Sequence, residues 1–138
     1  MARTSRSVPA PAPAGEPTHT TPLKRVPAIF YRTEAGNEPV RGWLKGLDRD
    51  DRRRIGESIK LVEFGWPIGM PTCRPMREGL HEVRTDLPSN RIARVLFYID
   101  KRQRMVLLHA FIKKSRTTPM EDLELAKANK RKHERGVP

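Results

Sequence analysis

The chain has 138 residues, 36% of them hydrophobic, and carries 28 lysines and arginines against 16 acidic residues. This length allows one domain with tails. A formal net charge of +12 indicates a polyanionic partner such as RNA, DNA or an acidic membrane surface; the alternative is a protein that is merely basic and soluble. The sequence lacks an apolar run that could span a bilayer and lacks the apolar core of a secretory signal, so we expect a cytoplasmic protein without a membrane partner.

The N-terminus is a low-complexity segment. Six of the 13 prolines lie within the first 27 residues, mixed with alanine and threonine. Such a segment buries too little surface to offset its ordering entropy, and residues 1–24 are predicted to be a flexible tail. The one cysteine, Cys73, excludes an intrachain disulfide and suits a reducing cytosol. A nucleophilic role for this thiol is possible, but a cysteine without a chemical role is more common.

The first half of the domain predicts a strand and two helices. Residues 25–32 read as a strand, and residues 37–47 as an amphipathic helix with Asn37 as its N-cap. A second helix starts at Asp48 or Asp50 and stops at Gly65, so the two form a hairpin. The acidic cluster formed with Asp51 is better explained by helix capping than by a metal, and four histidines with one cysteine have no zinc spacing. We therefore expect no metal site.

The second half predicts three strands and a helix. Residues 80–85, 91–100 and 105–113 read as an antiparallel meander. Alternation in the middle strand places Arg94 with Ile92, Leu96 and Tyr98 on one face. Thr118 and Glu121 have capping-box spacing around Pro119, which starts a helix that ends before a tail at 133–138. The order β-α-α-β-β-β-α predicts an α+β fold with helices packed on a small sheet.

Cations gather on the predicted sheet. Residues 74–116 contain eleven lysines and arginines against four acidic residues. Arg84 is expected to end the first meander strand, beside Lys113 and Lys114 at the end of the third, with Arg91 or Arg94 on the strand between them. With the N-terminus of the last helix, these side chains predict a cationic bowl for a phosphate. Alternatively, Arg94 pairs with Glu82 and the lysines are simply solvated.

Two strand histidines are candidates for acid–base chemistry. His81 and His109 have intrinsic pKa values near neutrality, although a lone strand histidine is more often structural. The sequence contains no phosphate-binding loop of the Walker type, no serine elbow and no paired-carboxylate signature.

Two segments carry a family resemblance. "GLHEVRTDLPSNRIARVLFYID" and "VLLHAFIKKSRTTPMEDLELAKANK" resemble the phage-derived Gp49-like, HigB-like branch of the RelE/ParE toxin superfamily. The second segment, with its H-x-F-x-K-K-x-x-x-T-P pattern, is the more specific. The resemblance covers about residues 26–132 and implies a RelE-like domain at 25–132, in which an N-terminal strand and a helical hairpin pack on a small, mainly antiparallel sheet with a C-terminal helix.

The resemblance also implies a function. Related proteins are toxins of type II toxin–antitoxin pairs, and RelE-like members are endoribonucleases that cut mRNA, commonly on the ribosome, without a metal or cofactor. The substrate's 2′-OH attacks the adjacent phosphate. The implied partners are mRNA, the ribosome and a helix-turn-helix antitoxin. ParE-like members instead inhibit DNA gyrase, so a non-catalytic inhibitor or a plain nucleic-acid-binding protein is the alternative.

The resemblance assigns roles residue by residue. Arg94 and Lys114, with Lys113 adjacent, correspond to phosphate-binding residues, and Arg84 to a residue that orients RNA or assists proton transfer. Some relatives carry a tyrosine after the last basic cluster, and this chain has no aromatic residue there. Proton transfer is then left to three candidates, His81, His109 and Tyr98. The cations expected to extend RNA binding are Arg77, Arg91 and Arg116.

Overall fold

A computed structural model of the protein describes residues 23–114 and 117–136. Most of the predicted N-terminal tail and Arg116 lie outside these residues. The elements in chain order are β1 (Ala28–Phe30), α1 (Pro39–Lys45), α2 (Arg49–Gly65), β2 (Cys73–Pro75), β3 (His81–Leu87), β4 (Arg91–Ile99), β5 (Met105–Lys113) and α3 (Met120–Gly136).

The strands form one five-stranded sheet in the order β1-β5-β4-β3-β2. The pair β1–β5 is parallel and the other pairs are antiparallel, which confirms the predicted α+β fold with a mainly antiparallel sheet. The short strand β2 was not predicted. It lies in a proline-rich segment, and proline is compatible with a strand only at an edge, which is where β2 pairs with β3.

The two faces of the sheet are covered by different helices. The hairpin face is covered by α1 and α2, whose Val40, Ile55 and Val62 pack against Val95 and Phe97. The α3 face is covered by α3, whose Leu123 and Ala126 pack on a second apolar cluster. This second cluster contains Leu80, Leu96, Tyr98, Val106, Leu108 and Phe111. The predicted alternation of β4 is therefore confirmed.

An irregularity in β5 decides which face His109 occupies. Leu96 lies opposite His109, whereas the next residue, Phe97, lies opposite Leu107. Leu108 is therefore an extra residue in β5, a β-bulge. Since directly paired residues share a face, His109 lies on the α3 face with Leu96. Strict alternation would have placed it with Leu107 on the hairpin face.

The predicted helix caps differ from the observed ones. Glu38 occupies the N-cap of α1, whereas Asn37 uses its backbone N–H and C=O in a turn with Thr33, so the Asn37 cap was wrong. Asp48 is at the N-cap of α2 but makes no side-chain capping bond. Helix α3 begins at Met120, one residue after the predicted start at Pro119, and the Thr118 hydroxyl donates to Glu82 and accepts from Arg94.

Helix α3 extends past the predicted boundary at residue 132 and ends at Gly136. Its last turns contact the sheet, where His133 Nε2 lies 3.2 Å from Asp100 Oδ2. Within residues 23–114 and 117–136, no helix has the length and apolar content needed to cross a membrane.

Candidate functional site

A carboxylate is buried beneath the α3 face. Glu82 is 0% exposed, and three arginines surround it. Arg74 Nη2 lies 3.3 Å from the Glu82 carboxylate, Arg94 Nη1 3.7 Å and Arg84 Nε 4.0 Å. Three guanidinium groups around one carboxylate leave this group, here named the Glu82 group, with excess positive charge.

Thr118 connects the Glu82 group to the start of α3. Its hydroxyl donates a hydrogen bond to Glu82 and accepts one of 3.2 Å from Arg94 Nη1. A buried charge is tolerated only when it is paired and hydrogen-bonded. The group therefore attaches the segment before α3 to the sheet and fixes where the helix begins.

A second polar group lies farther along the same face. His109 Nε2 is 2.7 Å from Asp122 Oδ1, and Lys113 Nζ is 3.6 Å from Asp122 Oδ2. Asp122 belongs to the first turn of α3, whereas the His109 and Lys113 side chains project from β5. Lys113 also lies 5.8 Å from the centre of the Phe111 ring. We name these residues the Asp122 group.

Three of the residues predicted to form the bowl lie on this face. Arg84, Arg94, His109 and Lys113 share it, and exposed Lys114 follows directly after β5. We expected Arg84 to end its strand, but β3 continues to Leu87. The side chains of Arg84 and Lys113 are 21% and 39% exposed, so both are accessible to a ligand.

Arg94 is placed differently from a phosphate-binding side chain. It is 0% exposed and lies beside Glu82, which is the pairing considered above as the alternative. Burial lowers the pKa of its guanidinium, while the Glu82 carboxylate acts in the opposite direction. Its charge contributes from beneath the surface, where the low dielectric makes it effective over a longer distance.

His81 lies on the opposite face from His109. It pairs with Phe97 in the ladder, and its ring is 4.8 Å from the Trp66 ring and 5.4 Å from the Phe97 ring. Burial lowers the pKa of His81, which favours the neutral imidazole. The structure therefore separates His81 from Arg84, His109 and Lys113, which lie on the α3 face.

Two of the three cations predicted to extend RNA binding, Arg91 and Arg77, lie within the described residues, in different surroundings. Arg91 lies opposite Leu87 on the hairpin face, where its guanidinium makes bonds of 2.6 and 3.0 Å to the two oxygens of Asp51. Arg77 is exposed in the turn before β3. Arg116 is outside the described residues.

Two further residues are poor candidates for chemistry. Burial raises the pKa of the Tyr98 phenol to about 12, so it holds its proton firmly. Burial, with Glu82 nearby, raises the pKa of Cys73 to about 11. That thiol is protonated at neutral pH, which fits the interpretation of a spare cysteine.

Sequence reasoning missed two residues of this face. These residues are Asp122, which contacts His109, and Arg74, which lies 3.3 Å from Glu82. The available signal was the alternation of Glu82 and Arg84 in one strand, which places both on one face. The signal for Asp122 was absent, because its contact with His109 depends on the bulge in β5 and on where α3 crosses the sheet.

Comparison with protein families identifies a match over most of the domain. The profile of the family described as phage-derived protein Gp49-like (DUF891) matches residues 42–131, which is 90 of the 138 residues. The matched region runs from within α1 into α3 and includes both polar groups. A search of curated proteins finds no match.

Proposed function

Because the chain belongs to the phage-derived Gp49-like family, a branch of the RelE/ParE superfamily with HigB-like members, we propose that it is the toxin of a type II toxin–antitoxin pair. We further propose that it is an endoribonuclease that cleaves mRNA without a metal ion. The net charge of +12 supports a polyanionic substrate.

One observation carries the proposal, namely the collection of cations on the α3 face. Arg84 and Lys113 are partly exposed there, and Lys114 follows at its end, while buried Arg94 adds charge from below. Preorganised cations of this kind stabilise the crowded anionic transition state of phosphoryl transfer, and they need no reorganisation during the reaction.

The proposed reaction divides the site into roles. The 2′-oxygen attacks phosphorus and the bond from phosphorus to the 5′-oxygen breaks, which yields a 2′,3′-cyclic phosphate and a 5′-hydroxyl. Lys113, Lys114 and Arg84 hold the phosphate, whereas Arg94 supports them from beneath. His109 is the candidate for proton transfer, because it is the strand histidine on this face and lies beside Lys113 in the Asp122 group. Arg77 and Arg116 stay predictions as RNA-binding residues, and the Arg91–Asp51 pair argues against that role for Arg91.

The test is mapping of mRNA 5′ ends after brief induced expression. Wild type is expected to produce new ends inside coding regions, and Arg84→Ala and Lys114→Ala are expected to lose them. Lys60→Ala is the matched control, because it removes an exposed lysine from α2 on the other side of the sheet. Arg94→Ala is less informative, since removal of a fully buried charge partner threatens folding.

The outcome also distinguishes the alternative function. Growth arrest with intact mRNA contradicts the nuclease and favours a gyrase inhibitor or a non-catalytic nucleic-acid-binding protein. Cleavage of purified RNA in excess chelator tests independence from metal ions. Comparison of that rate with and without ribosomes shows whether the ribosome is a required partner.

A toxin of this kind requires a cognate antitoxin, which we propose is a helix-turn-helix protein encoded beside it. An acidic or helical segment of that protein is expected to cover the cationic α3 face, since charge complementarity favours that contact. Crosslinking of the purified complex checks this, and a complex that leaves Arg84 and Lys114 accessible contradicts it.

A further inference from the structure

We propose that Asp122 is the positioning residue that makes His109 the general base of the cleavage reaction. This inference rests on the proposed ribonuclease function and assigns a role within that same site. The observation that carries it is the 2.7 Å contact between His109 Nε2 and Asp122 Oδ1.

The contact determines which nitrogen of His109 carries hydrogen. An ionised carboxylate only accepts hydrogen bonds, so Nε2 carries the hydrogen and donates it to Asp122. In the neutral ring, Nδ1 is then left with its lone pair. A ring held in this tautomer accepts a proton at Nδ1. In a serine-protease triad the two nitrogens have the opposite roles, since Nδ1–H donates to the aspartate and Nε2 accepts the proton.

Helix α3 holds His109 from two sides. Asp122 contacts its ring, and Asn129 Nδ2 donates a 2.9 Å hydrogen bond to the carbonyl of Leu108, the bulge residue that precedes it. Leu123 and Ala126, which lie between these contacts in the sequence of α3, are buried against the sheet. The helix therefore fixes both the backbone and the ring plane of His109.

The carboxylate also sets the distance from the base to a phosphate-binding cation. Asp122 Oδ2 is buried, has no hydrogen-bond partner among the described residues, and lies 3.6 Å from Lys113 Nζ. One side chain thus spaces His109 and Lys113. When Lys113 holds a phosphate, the ribose 2′-OH next to that phosphate lies near His109. The His109 side chain is 21% exposed and therefore accessible to it.

The proposed cleavage step transfers one proton to His109, forms one bond to phosphorus and breaks another. The 2′-OH gives its proton to His109 Nδ1 as the bond from the 2′-oxygen to phosphorus forms. The bond from phosphorus to the 5′-oxygen breaks, and that oxygen takes a proton from water. Asp122 keeps its charge throughout and stabilises the imidazolium that forms.

The test combines kinetics with nitrogen NMR on the full chain. In Asp122→Asn, kcat for cleavage of a model RNA is expected to fall about 100-fold or more with little change in KM, because the tautomer is no longer fixed. The ¹⁵N spectrum of wild type is expected to show His109 as the Nε2–H tautomer, and Asp122→Asn is expected to lose that signature. Asp122→Glu, which keeps the carboxylate, is expected to recover part of the rate.

Glu121→Gln is the matched control, because it neutralises an exposed acid in the same turn of α3. A folded Asp122→Asn with the wild-type kcat, or an Nδ1–H tautomer in the wild type, overturns the inference while the nuclease stands. If wild type cleaves no RNA, the proposed function fails and the inference fails with it. A structural role alone lowers thermal stability without the change in tautomer and without the selective loss of kcat.

Discussion

The two histidines of the sheet show how differently its faces treat the same side chain. On the hairpin face, His81 contacts the aromatic rings of Trp66 and Phe97, and burial lowers its pKa. On the α3 face, His109 contacts the carboxylate of Asp122. An imidazole among apolar rings serves packing, whereas one hydrogen-bonded to a carboxylate has a fixed tautomer and a defined direction for proton transfer.

The same difference extends to the charges. On the hairpin face, Asp51 and Arg91 pair at the boundary with α2, and the centre of that face is apolar. On the α3 face, Glu82 and Arg94 are both fully buried. Buried ion pairs are poor sources of stability compared with apolar packing. The hairpin face is therefore held mainly by apolar packing, whereas the α3 face combines an apolar cluster with a buried polar group.

The largest expected effect is on the rate of RNA cleavage, when each of the two histidines is replaced in turn. His109→Gln is expected to lower the single-turnover rate of RNA cleavage by about 10²- to 10⁴-fold, the usual contribution of a positioned acid or base. His81→Phe keeps an aromatic ring between Trp66 and Phe97 and is expected to leave that rate unchanged. A loss of rate in the folded His81 variant contradicts the assignment of function to the α3 face.

The sequence predicts elements better than it predicts faces. The middle strand β4 alternates as expected because it is regular and both of its faces are buried. In β5 the alternation fails at Leu108, since a nearly continuous apolar run has no marker for an extra residue. The short strand β2 was missed because it contains Pro75 and follows Pro71, and prolines are typical of loops.

Long-range contacts explain the remaining differences at the site. Thr118 has the right spacing for a capping box, but its hydroxyl donates a hydrogen bond to Glu82, 36 residues earlier in the chain, and accepts one from Arg94. A buried carboxylate needs hydrogen bonds more than an exposed helix end does, since water satisfies the latter. Contacts of this kind depend on the register of the sheet, which composition and periodicity do not provide.

The second-largest effect is a loss of unfolding free energy, expected when a buried charge of the α3 face is removed. Glu82→Gln leaves Arg94 buried without its carboxylate and is expected to cost about 3 to 5 kcal/mol of unfolding free energy. Urea denaturation measures it. The double variant Glu82→Gln with Arg94→Met is expected to regain much of the loss, because it removes the unpaired charge. A double variant as unstable as the single one contradicts this electrostatic explanation.

A smaller loss of stability is expected for the charge pair of the hairpin face. Asp51→Asn weakens the bidentate contact with Arg91, whose side chain is 30% exposed, so water partly replaces the lost bonds. Thermal unfolding is expected to show a loss smaller than that of Glu82→Gln. It is also expected to exceed that of Glu57→Gln, which breaks an exposed pair with Arg53 within α2. RNA cleavage by folded Asp51→Asn at wild-type rate is expected, and a cleavage defect contradicts the separation of the faces.

The smallest effect concerns the far end of α3, where His133 contacts Asp100. Burial alone would raise the pKa of Asp100, but hydrogen bonds from Arg104 and His133 outweigh it and lower the pKa from 3.8 to about 2. A group whose pKa is lowered in the folded state contributes stability that is present above the unfolded value and disappears as pH falls through the folded value. Between about pH 5 and about pH 3, wild type is therefore expected to lose about 1 kcal/mol more unfolding free energy than Asp100→Asn, after allowance for screening by solvent.

Urea denaturation of both proteins at the two pH values measures this difference, and equal losses contradict it.

The same variant, Asp100→Asn, also tests whether the two ends of α3 act independently. Asp122 at the start of the helix is held near His109 by Leu123, Ala126 and the Asn129 contact. Because those contacts precede His133 in the helix, Asp100→Asn is expected to loosen only the last turns and to leave RNA cleavage at neutral pH unchanged. A large loss of cleavage would mean that the whole helix, and not its first turns, sets the position of His109.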